Sequence, residues 1–189
     1  NISAVSSIKE IERRVKMYRA GKIATIVGRY FAMDRNNNWD RIEKAFNLLT
    51  KGEGKQIYDP VKYLQDSYKK EIFDEYIEPA VVIENGRPVG LIEDNDAVIF
   101  FNFREDRARQ LTEAFALPGF MKFKRQDLKN LEFVTMVQYE ENLPVDIAFL
   151  AEHPENTLGK IISVNNLTQL RISETEKFAH VTYFFNGGT

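Results

Sequence analysis

Residues 97–109 read AVIFFNFREDRAR, and the organisation of the chain turns on them. Residues 97–103 form a run of β-branched and aromatic side chains broken only by Asn102. Such a run predicts a strand covered on both faces, in the middle of a sheet. Arg104, Arg107 and Arg109 follow at once, and Ala108, Leu111 and Phe115 then fall on one helical face that closes at Pro118-Gly119. A strand is thus expected to run straight into a helix whose first turn carries two arginines three residues apart. Cations are unfavourable there, because the helix dipole and the unpaired N–H groups attract anions. An anionic ligand held by the arginines and the helix N-terminus would offset this. Glu105 and Asp106 balancing the arginines in water would do so equally well.

The rest of the chain fits an α/β protein. Val5, Ile8, Ile11, Val15 and Tyr18 predict an opening amphipathic helix stopped by Gly21. Residues 22–27 (KIATIV) read as a strand, Gly28 opens a loop through Arg35, and Asn36, Asn37 and Asn38 precede a helix bearing Trp39, Ile42, Phe46 and Leu49. Asp59-Pro60 places a cap before a proline at the first helical position. Asn85-Gly86 marks a hairpin between residues 81–83 and 89–92. Further strands are expected at 131–138, 147–150, 167–173 and 179–185, with a short helix capped by Asn156 and a turn at 174–177. Alternating strands and helices predict a three-layer α/β/α fold with a mixed, centrally parallel sheet, and a seam near Glu152-His153-Pro154.

Composition narrows the function. The 189 residues are 43% hydrophobic and 29% charged, as in an ordinary globular protein. A net charge of −2 argues against a general nucleic-acid or membrane-surface binder. There is no cysteine and only two histidines, His153 and His180, so thiolate sites are excluded and a His-rich metal centre is disfavoured. No run approaches the roughly 20 apolar residues of a membrane span, and no signal pattern opens the chain. Both ends, Asn1 and the turn-like Asn186-Gly187-Gly188-Thr189, read as cut.

In an open α/β sheet ligands collect beyond the carboxyl ends of strands. Arg29 and Arg35 follow one expected strand, Arg104 and Arg107 another, and Lys177 a third. Four arginine forks and one lysine suit a small ligand bearing phosphate and carboxylate. Each also has an ordinary role: Arg29 at a helix C-terminus, Arg35 paired with Asp34 or Asp40, Lys177 balanced by Glu174 and Glu176. The pairs Asp94/Asp96, Glu140/Glu141 and Glu174/Glu176 lie in expected turns, without histidine at ligand spacing. Phosphate-cradling glycine motifs and nucleophile elbows are missing too. From its residues alone the chain binds an anion and lacks the machinery to transform it.

The same segments resemble cofactor-independent (2,3-bisphosphoglycerate-independent) phosphoglycerate mutase. The matching stretches are KIATIVGRYFAMDR at 22–35, WDRIEKA at 39–45, DAVIFFNFREDRARQ at 96–110, NTLG at 156–159 and QLRISETEKFAHVTYFFNGG at 169–188. The resemblance implies a glycolytic and gluconeogenic isomerase interconverting 2-phosphoglycerate and 3-phosphoglycerate through a phosphoserine intermediate. It also implies a phosphatase-like catalytic domain with two metal ions, usually manganese, and a substrate-binding domain inserted into it. By this likeness Arg29, Arg35, Arg104 and Arg107 hold substrate phosphate and carboxylate, and Lys177 lies near the phosphoserine. Phe178 and Glu105 depart from the family's common tyrosine and proline, and the serine and Asp/His metal-ligand segments have no counterpart.

The chain is therefore expected to be an internal fragment of a cytoplasmic enzyme. Residues 1–153 would be the inserted substrate-binding domain without its N-terminal part, and 154–189 the connector returning to the catalytic domain. No catalytic or metal residue is expected in it, and no bound manganese. Its expected partners are the phosphoglycerates and the missing catalytic domain, with no nucleic acid or membrane. Self-association is expected through apolar residues of the last strand. The competing reading is a free-standing module that binds a phosphorylated ligand without catalysis.

Overall fold

A computed structural model describes residues 1–150 and 154–188. Contacts divide the chain into two compact units, Asn1–Phe149 and Leu150–Thr189. The expected seam at 152–154 falls largely on residues outside those described, and so does His153.

The first unit is mixed α/β, with its strands divided between two sheets. Strand β3 (Ala80–Glu84) pairs antiparallel with β1 (Thr25–Ile26) and β4 (Arg87–Pro88), and parallel with β2 (Lys55–Ile57). The second sheet is parallel, in the order β5 (Ala97–Phe100), β6 (Glu132–Thr135), β7 (Asp146–Ile147). Parallel pairing is thus shared between two sheets and not gathered in the centre of one. The strand buried on both faces is β3, where Ala80, Val81, Val82 and Ile83 are all inside. The expectation for 97–103 is corrected: β5 is an edge strand of its sheet among the described residues. Val98 and Phe100 face the core, whereas Ile99 is 65% and Phe101 81% exposed. An apolar run permits two covered faces, but a second layer must be present to cover them, and β5 has only one.

Helix α3 (Trp39–Lys51) joins the two sheets. Its Ile42, Ala45 and Phe46 share a core with Leu111, Ala114 and Phe115 of α5 (Arg109–Ala116) and Phe133 of β6. One face round, Leu48 packs on Val81 and Ile83 of β3. The stripe of i, i+3, i+4 positions is what gives α3 two apolar partners. Packing α3 on α5 sets the segments that precede the two helices side by side. At the other end of α5, Arg125 donates to the carbonyls of Phe115 and Leu117 at 2.9 and 2.8 Å, a cation where the dipole favours one.

Local signals place the remaining elements. Asp59 accepts from the Lys62 amide at 2.9 Å and opens α4 (Pro60–Tyr68). Asn85 and Gly86 turn the hairpin with φ of 52° and 78°, although its second strand is Arg87–Pro88 and not 89–92. The opening helix α1 (Ala4–Tyr18) ends at Arg19, which takes a left-handed φ of 50°, two residues before Gly21, whose φ is 80°. Its N-terminus is capped from a distance. Asp74 accepts from the Ser3 amide at 2.8 Å and the Ala4 amide at 3.2 Å, and also from the Tyr68 hydroxyl.

Burial alone would raise the Asp74 carboxyl, but these bonds outweigh it and hold the group below its ordinary range. Burial and Asp74 together push the Tyr68 hydroxyl up to about 12. A carboxyl lowered by folding stabilises above its ordinary pKa of 3.8 and loses that contribution as the pH falls through the folded value. Helix α1 is therefore expected to lose this cap and loosen on acidification. Asp74→Ala should reproduce this at neutral pH at a cost of about 1 kcal/mol, the usual worth of a cap. Circular dichroism during an acid titration checks it; equal acid sensitivity of wild type and Asp74→Ala would disprove it.

The second unit differs most from expectation. Neither 167–173 nor 179–185 is a strand: the first is irregular, and the second lies in α7 (Phe178–Val181) and a 3₁₀ turn at Phe184–Asn186. Alternating apolar residues make a strand only beside a partner with a free ladder, and the described residues of this unit offer none. The backbone instead bonds locally, Thr182 N–H to Phe178 O at 3.2 Å and Asn186 N–H to Thr182 O at 3.1 Å. The short helix α6 (Leu158–Val164) is capped by Thr157 and not Asn156, its hydroxyl accepting from Lys160 N–H at 3.3 Å. Arg171 ties the unit together through Gln169, Val181 and Asn186.

Candidate functional site

Two segments meet where α3 and α5 begin. The first is the loop after α2 (Arg29–Ala32), organised by Asp34, which is 4% exposed. Its carboxylate accepts from the amides of Asn36 and Asn38 and from the Asn38 side chain, each at 2.9 Å, and from Arg41 at 3.2 Å. Burial would raise this carboxyl, but the Asn38, Asn36 and Arg41 contacts outweigh it and keep it low. Asn37 takes a φ of 61° in this loop. The buried Gln110 of α5 clasps it: with the amide oriented to satisfy its neighbours, its oxygen accepts from Asn37 N–H and its nitrogen donates to Asp34 O, both at 2.9 Å.

The second segment is residues 101–108. Tyr139, 1% exposed, fixes its start by sharing its hydroxyl between the carbonyls of Phe100 and Asn102. Arg109 holds the Tyr139 carbonyl in turn at 3.0 Å. The amides of Ala108 and Arg109 both reach the Glu105 carbonyl, so a turn separates strand from helix. Arg104 and Arg107 therefore stand before α5 and not in its first turn, which corrects the expectation of a strand running straight into the helix.

Three of the four arginines come together here. Asp106 Oδ1 accepts from Arg104 Nε at 2.7 Å, and its Oδ2 accepts from Arg104 Nη2 at 3.1 Å and Arg35 Nη1 at 2.6 Å. Arg107 reaches across to the Met33 carbonyl at 3.1 Å, on the same loop as Arg35. Arg104 keeps 72% and Arg35 45% of its side-chain surface open, so both remain available to a ligand. Partial burial would raise the Asp106 carboxyl, but Arg104 and Arg35 outweigh it and hold it low.

Arg29 points elsewhere. Gly28 lies so close to the next segment that a Cβ there would sit 2.4 Å from the Glu75 carbonyl oxygen, and its N–H bonds Ile77 O at 2.7 Å. That contact sets Arg29 beside Glu75 at 3.2 Å. Lys177 belongs to the second unit, where it faces Glu174 at 3.7 Å and Glu176 at 4.0 Å. Among the described residues no group of three or more His, Asp or Glu is placed to hold a metal ion.

Sequence reading missed Asp34 as the organiser of its loop, Gln110, and Arg41, whose guanidinium lies 3.9 Å over the Tyr30 ring. The spacing of Asp34 before three asparagines carried a signal for the first. Gln110 carried none, since its partners lie over 70 residues away.

These features define a mixed α/β domain that gathers arginines from two loops at the starts of two packed helices. The chain belongs to the family described as BPG-independent PGAM N-terminus, whose profile matches residues 1–141. It is 50% identical over 190 residues to the 2,3-bisphosphoglycerate-independent phosphoglycerate mutase of Methanococcoides burtonii, covering 98% of this chain and 36% of that protein. The enzyme of the same name from Clostridium acetobutylicum is also 50% identical, over 187 residues with the same coverage. A crystal structure of Leishmania mexicana phosphoglycerate mutase at low cobalt concentration superposes with a TM-score of 0.78 at 28% identity, over 98% of this chain and 36% of that one. The chain thus spans little more than a third of the relatives it matches. Those relatives are named for independence from 2,3-bisphosphoglycerate. No helix among the described residues is long and apolar enough to cross a membrane.

Proposed function

We propose that this chain is the substrate-binding part of a cofactor-independent phosphoglycerate mutase, which interconverts 2-phosphoglycerate and 3-phosphoglycerate through a phosphoserine. The observation that supports it is the meeting of Arg35, Arg104 and Arg107 at the starts of α3 and α5. Guanidinium forks there bind the oxygens of phosphate and carboxylate in pairs, each contact worth roughly 1.5–3 kcal/mol when partly desolvated. Arg29 joins them by exchanging Glu75 for a substrate oxygen, and Lys177 serves near the phosphoserine. Residues 1–153 are the inserted domain and 154–189 the connector in this reading, and the enzyme is cytoplasmic.

Manganese belongs to the same reading, as a Lewis acid for phosphoryl transfer. Among the described residues none is grouped to form a metal centre, so the part assigned to this chain in the same reading is to bind and orient the substrate. A polypeptide of the relatives' length that carries this chain should convert 3-phosphoglycerate in an enolase-coupled assay without added 2,3-bisphosphoglycerate. The 189-residue chain alone should not, and turnover by it would refute this division of labour.

The isolated chain is also proposed to self-associate. Although 179–185 is not a strand, its Tyr183, Phe184 and Phe185 are exposed, and further support comes from Ile99 on the uncovered face of β5 and from Phe101 and Phe103 just beyond it. Size-exclusion chromatography should show a species larger than a monomer, reduced by Ile99→Lys; monomeric elution at all concentrations disposes of the idea.

A further inference from the structure

We infer that Asp106 is a positioning residue for the phosphoglycerate anion, a role that rests on the function proposed above. Its single carboxylate ties together two arginines from different loops, bonding Arg104 through Nε and Nη2 and Arg35 through Nη1. Arg35 and Asp106 stand 71 residues apart in sequence, so local structure cannot hold this arrangement.

Two guanidinium groups drawn to one point repel each other, and in an exposed pair of long side chains nothing else restrains them. Asp106 offsets that repulsion and holds both guanidinium groups at one carboxylate. The neighbouring acids are otherwise engaged. Glu105 faces Arg109 at 3.7 Å, and Asp34 is committed to its own loop and to Arg41. Asp106 itself is 29% exposed, less than either arginine, so it lies beneath them and leaves their outer edges to the solvent. Two arginines and one aspartate leave a single positive charge, and Arg107 raises it to two. Net charge alone does not separate such a ligand from inorganic phosphate, but guanidinium groups spread over two loops suit a ligand with two separate anionic ends, one a carboxylate and one a phosphate.

Arginine side-chain resonances of the ¹⁵N-labelled chain, Nε–H for Arg104 and Nη–H for Arg35, assigned with Arg35→Lys and Arg104→Lys, test this without catalysis. In the wild type both should lie away from the free-arginine position, in Asp106→Asn both should return to it, and Asp106→Glu should restore them. The dissociation constant for 3-phosphoglycerate, followed on the same resonances, should rise at least fivefold in Asp106→Asn and stay within twofold in Asp106→Glu. Unmoved arginine signals, or binding by Asp106→Asn as tight as the wild type, would overturn the inference. If 3-phosphoglycerate binds and Arg104→Ala weakens it while Asp106→Asn does not, the functional reading stands and the role of Asp106 falls. If the wild-type chain shows no response to 3-phosphoglycerate, the ligand is wrong, and this role falls with it.

Discussion

Arg104→Ala in a polypeptide of the relatives' length is expected to lower kcat/KM for phosphoglycerate at least tenfold, about 1.4 kcal/mol of transition-state stabilisation. Under the proposed function Arg104 presents a planar fork to substrate from a turn whose backbone is fixed at both ends. Tyr139 holds its start and the Glu105 carbonyl closes it onto α5. The alanine variant leaves that turn in place, because none of its backbone bonds involves the guanidinium. The loss should therefore appear in kinetics and not in the melting temperature. Arg104→Lys should recover only part of it, since an ammonium cannot bind two oxygens in one plane. Unchanged kinetics in a correctly folded variant would assign Arg104 to the surface and Asp106 to a plain ion pair.

The largest effect on stability is expected at Phe46. Its side chain is 1% exposed, with ring centroids 4.7 Å from Phe115 and 5.7 Å from Phe123, at the centre of the core that α3 shares with α5. Phe46→Ala should cost about 3–5 kcal/mol, the usual range for removing a buried aromatic ring. Denaturant unfolding of the chain measures it. Because the same contact sets the two helix starts side by side, the clasp of Gln110 on the Asp34 loop should weaken as well, visible as faster amide exchange at Asn37 and Asn38. A cost under about 1 kcal/mol would show that the site collapses around the gap without loss.

What sequence reading recovered and what it missed divide by the range of the interactions involved. Asp59-Pro60, Asn85-Gly86 and the stripe of α3 are local signals, and each produced its element. That Arg35, Arg104 and Arg107 follow strands was legible for the same reason, although the turn that keeps Arg104 and Arg107 out of α5 was not. Their partners were not: Asp34 stood next to Arg35 in sequence, yet the ion pair went to Asp106, because Asp34 is consumed by the amides of its own loop. The exposure of β5 and the helical conformation of 179–185 both depend on which neighbours cover a segment, and no periodicity within the segment encodes that. Arg29 illustrates a third case, in which a glycine read only as a loop opener, Gly28, decides through close backbone packing where the next side chain points.

The double attachment of α3 has one more consequence. Its hydrocarbon contacts with Val81 on one side and Phe115 on the other lie well inside the molecule, yet they dictate where Arg35 and Gln110 stand. Under the proposed function, a ligand arriving at those groups meets an arrangement already paid for during folding. Little ordering entropy is then left to lose on capture, and affinity can come from a few polar contacts at an open surface where a deep cleft would otherwise be required.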